Sequence, residues 1–281
     1  MPDVADSAFL NRSYDAYSQA ENEFQQAMDE SLHPRGPGML YDLVAGLGLR
    51  AGAAVLDVGC GEGGDAIELA SRFAMQVLGV DPVPRQVEVA RQKLADAARD
   101  QPGLSELVRF GPGAAEDLPA ASGSVDLVWC RDVLVHADDL AIAYREFARV
   151  LRPGGWALVY QMFTTSRLEP AEAGWILPAL GCAAPSMRPD HAEAAIHAAG
   201  MRIARRILLD SEWGEYAQES SGAGDRQLIH AARLLRDPSR YIRQFGQANY
   251  DIALADCLWH IYRMIGKLSA RIYLLSAADA G

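Results

Sequence analysis

Short apolar runs alternate with helical patterns from residue 53 to residue 162, and that alternation restricts the chain to very few architectures. "AAVLDVG" (53–59), "MQVLGVD" (75–81), "LVRFGPG" (107–113), "VDLVWCR" (125–131) and "WALVYQM" (156–162) read as buried strands. The spacing predicts helices over 64–73, 84–99 and 138–151. In the last of these, Leu140, Tyr144, Phe147 and Leu151 fall on one face. "RPGG" then reads as the end of that helix, with Gly154 as its left-handed cap. Strands alternating with helices at this spacing form an α/β fold, a doubly wound and mostly parallel sheet covered on both faces.

Beyond Phe163 the rhythm loosens. A connector at 164–188 precedes a helix near 190–199 and a strand near 201–209. A mostly helical insertion at 225–267 and a last strand at 270–277 follow. At the other end, residues 8–30 read as a polar helix. "HPRGPG" (33–38) separates this cap, residues 1–38, from a domain of residues 39–281.

The segment "VLDVGCGEGGD" (55–65) carries the pattern G-x-G-x-x-G at Gly59, Gly61 and Gly64, after a strand and at a helix start. That is the setting of a nucleotide-binding turn, and Asp81 at the end of the second strand is placed to accept hydrogen bonds from a ribose. A dinucleotide would lay its pyrophosphate on the helix N-terminus. Asp57, Glu62 and Asp65 surround this turn with carboxylates, which favours a cationic ligand instead. S-adenosylmethionine, with an ammonium and a sulfonium, fits that charge.

The overall charge points the same way. The chain has 37 acidic against 26 Lys and Arg residues, a formal net charge of −11, which argues against nucleic acid as the main partner. Arg202, Arg205 and Arg206 form the one basic cluster, read as a solvated face. The four cysteines are scattered without a C-x-x-C pair, so neither a disulfide framework nor a metal site is expected. No secretory signal and no window of about 18 apolar residues is present, and a cytoplasmic protein without a membrane span is expected.

Taken together, "VLDVGCGEGGDAIELA", "VLGVDPVPRQVEVAR", "GAAEDLPAASGSVDLVWCRDVLVH" and "REFARVLRPGGWALVYQM" resemble the class I S-adenosylmethionine-dependent methyltransferases over residues 40–162. "SYDAY", "ESLHPRG" and the helical insertion resemble the members that act on sugars, polyketides, quinones and terpenoids. The resemblance implies a Rossmann-like sheet of seven strands whose last strand is antiparallel. It implies that Asp57, Gly59, Cys60 and Gly61 line the methionine side of S-adenosyl-L-methionine and that Asp81 holds its ribose. Pro82 and Gln86 would lie near the adenine, with a backbone contact at Ala115. Ala114 stands where the family has Asp or Asn, and Glu116 is the substitute for that acceptor. Arg131 would pass the methionine moiety, and Tyr14 would cover the cofactor from the N-terminal helix.

The expected activity is methylation of a hydroxyl or amine on an apolar small molecule, of the kind found in natural-product biosynthesis. Two alternatives stand beside it. One is carbon methylation of a prenyl- or sterol-like alkene, with Trp175, Trp259 and Tyr262 stabilising a carbocation. The other is a cofactor-binding member that catalyses cyclisation. The helix around 251–267 carries two adjacent apolar stripes, beyond the need of a surface helix. It reads as a lid over the acceptor, with Trp259 or Tyr262 touching it and Asp256, His260, Arg263 and Lys267 as its polar face.

His136, in "RDVLVHADD", is the candidate general base. It follows the fourth strand, at the end of the sheet where ligands bind, and imidazoles titrate near neutrality. Its alternative role is to cap the next helix. His33 and His260 are secondary candidates, ahead of His191 and His197. Similar enzymes pair the histidine with an acid at the end of the next strand, where this chain has Gln161. Assembly into a homo-oligomer is left open.

Overall fold

A computed structural model describes residues 7–277. Two helices, α1 (Ser7–Glu30) and α2 (Gly38–Ala45), lead into the sheet. The first half of the sheet runs through β1 (Ala54–Val58), α3 (Gly64–Phe73), β2 (Gln76–Asp81), α4 (Pro84–Asp100), α5 (Leu104–Leu107) and β3 (Val108–Pro112). The second half contains β4 (Val125–Arg131), α6 (Leu140–Val150), β5 (Leu151–Thr164), α7 (Pro170–Ala179), α8 (Pro189–Ala198) and β6 (Met201–Leu209). Four helices then intervene, α9 (Glu212–Ser221), α10 (Ala223–Arg236), α11 (Pro238–Phe245) and α12 (Gln247–Met264), before β7 (Leu268–Ala277) closes the fold.

The seven strands lie in the order β3-β2-β1-β4-β5-β7-β6. Pairings among β1 to β5 are parallel, and β7 is antiparallel to both β5 and β6. The expected seven-stranded sheet with an antiparallel last strand is therefore present. The strand order reverses between β1 and β4, which opens a crevice beyond their carboxyl ends. Each face of the sheet has its own apolar layer. One is built around Leu69, Trp129, Leu158 and Ile272. The other is built around Leu56, Val128, Phe147 and Val159. A smaller cluster of Ala231, Tyr250, Leu254 and Cys257 holds α10 to α12 together. Among the described residues, no helix is long and apolar enough to cross a membrane.

Two local expectations need correcting. Helix α6 ends at Val150, and Leu151 already lies in extended conformation in β5, opposite Val125 of β4. Gly154, with φ of 77°, therefore sits inside the early part of β5, beside a register shift, and caps no helix. Pairing of buried Leu151 with the sheet outweighs one more helical turn. The connector at 164–188 contains a full helix, α7, begun by a capping box between Glu169 and Glu172. Its periodicity is masked because Pro178 lies within the helix and its small residues mark no apolar stripe. The basic cluster is on edge strand β6, as a solvated face requires, with Arg206 paired to Glu193.

Candidate active site

The glycine turn stands on β1 and folds back onto β2, because the N–H groups of Gly59 and Cys60 both donate to the carbonyl of Val80, at 2.8 and 2.9 Å. Gly59 and Gly61 have φ of 68° and 50°, a left-handed conformation that excludes most side chains. A Cβ on Gly61 would meet nothing within 4 Å, so its backbone faces open space. Asp81 fastens the turn. Its Oδ2 accepts from the N–H of Gly61 and its Oδ1 from the N–H of Val83, both at 2.9 Å. Each oxygen keeps a lone pair for a ligand hydroxyl.

Asp57, 2% exposed, points up from β1 beneath this turn. It accepts a hydrogen bond from the backbone of Ala66, but its Oδ2 is buried without any partner. Burial, and then the negative charge of Asp65, push its carboxyl well above the usual carboxylate range. An orphaned buried oxygen of this kind costs about 1–3 kcal/mol, and a cationic donor arriving at the turn removes that penalty. Burial also raises the Cys60 thiol to about 12, so it acts as an apolar wall.

The other two acidic residues of the turn behave differently from expectation. Glu62 is paired with Lys93 of α4. Asp65 accepts from Tyr41 Oη at 2.6 Å, Trp129 Nε1 at 3.2 Å and Arg131 Nη1 at 3.0 Å. Neither offers a free charge to a ligand. Of the turn's acidic residues only Asp57 is left without a cationic partner, a narrower basis than the sequence argument used.

Of the remaining candidates, Ala115 is buried beside the loop, and Glu116 is half-buried close enough to Cys130 to act on its thiol. Pro82 is exposed and Gln86 half-buried, where β2 passes into α4. Ala114 is engaged in a bridge with Asp117. Arg131 is committed to Asp65 and stacks over the Trp213 ring at 5.5 Å. Tyr14 is 73% exposed on α1.

His136 closes a 3-10 helix, Leu134–His136, whose first two residues are buried while the imidazole is exposed. Nδ1 lies 2.9 Å from the carbonyl oxygen of Gly181. With the proton on Nδ1, that bond leaves Nε2 free as an acceptor. The helix that follows is capped by Asp139, whose carboxylate accepts from Ala141 and Ile142, so His136 is not its cap. Gln161 is fully buried and structural: its Nε2 donates to Ser186 O at 2.7 Å.

A cavity of about 650 Å³ opens among α9, α10 and α12, with Trp213, Ala217, Leu228, Ile261 and Met264 on its walls. His260 and Arg263 face it too. Here the structure corrects which residues of α12 face the cavity. Trp259 is only 9% exposed and packs into the core beside the sheet. Tyr262 donates its hydroxyl to Glu172 at 3.0 Å. The cavity is lined from both faces of α12, by His260 and Arg263 of the polar one and by Ile261 and Ile265 of an apolar stripe. Trp213 and Tyr216, which the sequence reading missed, are aromatic residues on the cavity wall, and Trp213 stacks on Tyr160 at 4.5 Å.

Residues 56–159 match the methyltransferase domain family. This part of the chain carries a methyltransferase domain, on the class I S-adenosylmethionine-dependent methyltransferase fold. It is 35% identical over 177 residues to the methyltransferase GfsG of Streptomyces halstedii, covering 58% of this chain and 62% of that one. It is 34% identical over 158 residues to the 27-O-demethylrifamycin SV methyltransferase of Amycolatopsis mediterranei, covering 52% and 55%. The matched stretch thus spans less than two thirds of either relative. Among solved structures, the [4+2]-cyclase SpnF superposes with a TM-score of 0.65 at 26% identity, over 86% of this chain and 82% of that one.

The turn's geometry fits the cofactor of this family: an open backbone at Gly61, an orphaned carboxylate oxygen at Asp57 and a fixed carboxylate at Asp81. Asp81→Ala is expected to weaken S-adenosylmethionine binding by about 1.5–3 kcal/mol, the scale of a lost charged hydrogen bond. Titration calorimetry checks this, and unchanged affinity would place the ribose elsewhere.

Proposed function

We propose that this protein transfers a methyl group from S-adenosylmethionine to a hydroxyl or amine of an apolar small molecule. One observation carries the proposal: residues 131–136, at the carboxyl end of β4 where the strand order reverses, run from the glycine turn to an exposed imidazole. Arg131 holds Asp65 of the turn at one end, and at the other His136 presents a free imidazole nitrogen. When bound, S-adenosylmethionine supplies an activated methyl group on a sulfonium. Asp57 and Asp81 hold the donor, and the cavity takes the acceptor's apolar body and excludes water. His136 receives the proton that a hydroxyl or ammonium must lose.

Relatives named as O-methyltransferases, and one named for 27-O-demethylrifamycin SV, support the acceptor class. Carbon methylation stands as an alternative, since sterol 24-C-methyltransferases are among the relatives and Trp213 and Tyr216, rather than Trp259 and Tyr262, line the cavity. The likeness to a [4+2]-cyclase sustains a second reading, in which the cofactor is bound and a polyene is cyclised. Methyl-labelled cofactor, incubated with a panel of apolar phenols, alcohols and amines and with a linear polyene, separates the two. Label in a panel product supports the proposal. Cyclised polyene without label overturns it.

The roof of the acceptor site is assigned to α9, α10 and α12. Leu228→Trp, which narrows the cavity, is expected to raise the acceptor KM about tenfold with cofactor affinity intact, by overpacking of a few kcal/mol at most. Trp259→Ala is expected instead to cost about 3–5 kcal/mol of stability as a core deletion. An unchanged KM in the first variant, measured by steady-state kinetics, would move the acceptor elsewhere.

A further inference from the structure

Residues 226–250 carry five arginines against one aspartate, in a chain whose net charge is −11. On α10 the helical period places Arg226, Ile229, Arg233 and Arg236 in one row. Ala231 and Leu234 face the other way, into the small cluster built on Tyr250 and Leu254 of α12. On α11, Tyr241 and Ile242 turn inward to the same cluster, while Arg240 and Arg243 stay exposed. The basic run on β6 is therefore joined by a second basic face. It is spread at helical spacing and forms when α10 and α11 fold onto α12.

Two properties set this face apart. Arg131, Arg149, Arg152, Arg206 and Arg271 each have a carboxylate partner. Among the described residues, none of the five arginines of α10 and α11 has one; Arg240 lies over the Tyr241 ring at 5.6 Å. Large apolar side chains also stand out between them, with Ile229 50%, Leu235 57% and Phe245 53% exposed. Exposed apolar groups rimmed by charge mark a surface that meets something other than water. A phosphodiester backbone or a run of carboxylates would satisfy the arginines alone. An anionic lipid surface meets both, since headgroup phosphates take the guanidinium groups and the acyl boundary takes the apolar tips. Leu228 of the same helix is 58% exposed and lines the apolar cavity, so the cavity and the basic row share α10.

We propose that α10 and α11 dock this protein on an anionic lipid surface, with the arginines on headgroup phosphates and Ile229, Leu235 and Phe245 in the outer acyl layer. Docking is peripheral, because among the described residues no helix is long and apolar enough to cross a membrane. The acidic remainder of the chain is repelled by the same surface, which fixes the face presented to it. The consequence for the acceptor rests on the methyl-transfer reading. An apolar acceptor collects in the bilayer, and docking through α10 sets a wall of the cavity beside that store.

Co-sedimentation with vesicles tests this, using phosphatidylcholine alone and phosphatidylcholine with a third of phosphatidylglycerol. Wild-type protein is expected to bind the anionic vesicles at least about tenfold more tightly, with the difference shrinking as salt is raised. An arginine near such a surface contributes about fivefold in affinity, so the triple variant Arg226→Glu/Arg233→Glu/Arg236→Glu should lose about 100-fold or more. Should that variant unfold in urea denaturation, the three single reversals replace it, each expected to lose about fivefold or more. Ile229→Ser, which changes no charge, should lose about tenfold. Arg202→Glu/Arg205→Glu on β6 should stay within about threefold of wild type, its charges being screened from the docked face. Equal binding to the two vesicles, no binding by wild type, or wild-type binding by the reversed variants overturns the proposal. Retention on immobilised polyglutamate without vesicle binding overturns it too, and assigns the face to an acidic protein. No arm uses cofactor or acceptor, so these failures leave the methyl-transfer reading standing. Failure to bind S-adenosylhomocysteine in calorimetry would sink that reading and leave docking untouched.

Discussion

His136→Ala is expected to lower methyl-transfer turnover by about 100- to 10,000-fold while cofactor affinity stays within about a factor of two. The imidazole touches neither the glycine turn nor Asp81, so its removal leaves the cofactor's supports in place. Its partner is the carbonyl of Gly181, in the turn after α7, and that bond sets which nitrogen is free. A backbone carbonyl orients the ring without adding charge to it. Steady-state kinetics beside calorimetry check the expectation. A loss below about tenfold would make the histidine structural and leave the reaction to alignment alone.

The two leading glycines of the turn are expected to fail in different ways. Gly59→Ala combines a left-handed backbone with a Cβ placed 2.2 Å from Val133 Cγ2. Strain of about 1–2 kcal/mol adds to overpacking of about 1–3 kcal/mol, a total of roughly 2–5 kcal/mol lost from stability. Gly61→Ala carries comparable backbone strain but meets no atom within 4 Å. It is expected to cost only about 1–2 kcal/mol in folding. The added methyl group enters the space where a ligand approaches the backbone, so S-adenosylhomocysteine affinity should fall by about tenfold or more, as overpacking costs imply. Urea denaturation and calorimetry on both variants separate the effects. If Gly61→Ala binds normally, the open face of the turn is not where the cofactor lies.

Much of this was legible along the chain. The alternation of apolar runs and helical patterns determined the parallel sheet, since each element's burial is written in its own period. The G-x-G-x-x-G turn and Asp81 were legible for the same reason: backbone freedom and a carboxylate at a strand end are local properties. His136 was placed by its distance from β4 alone.

What the sequence could not carry was pairing between distant residues. Glu62 and Asp65 counted as free charges until Lys93 and Arg131 were brought beside them by α4 and β4. The apolar arc of α12 announced burial but not its direction; contact with the sheet turned Trp259 inward and left His260 and Arg263 to the cavity. Trp213 lies on a helix with no marked pattern, and only the stack with Tyr160 makes it part of the wall. Composition and period are properties of one segment, whereas charge compensation, side-chain direction and strain arise only when several segments meet.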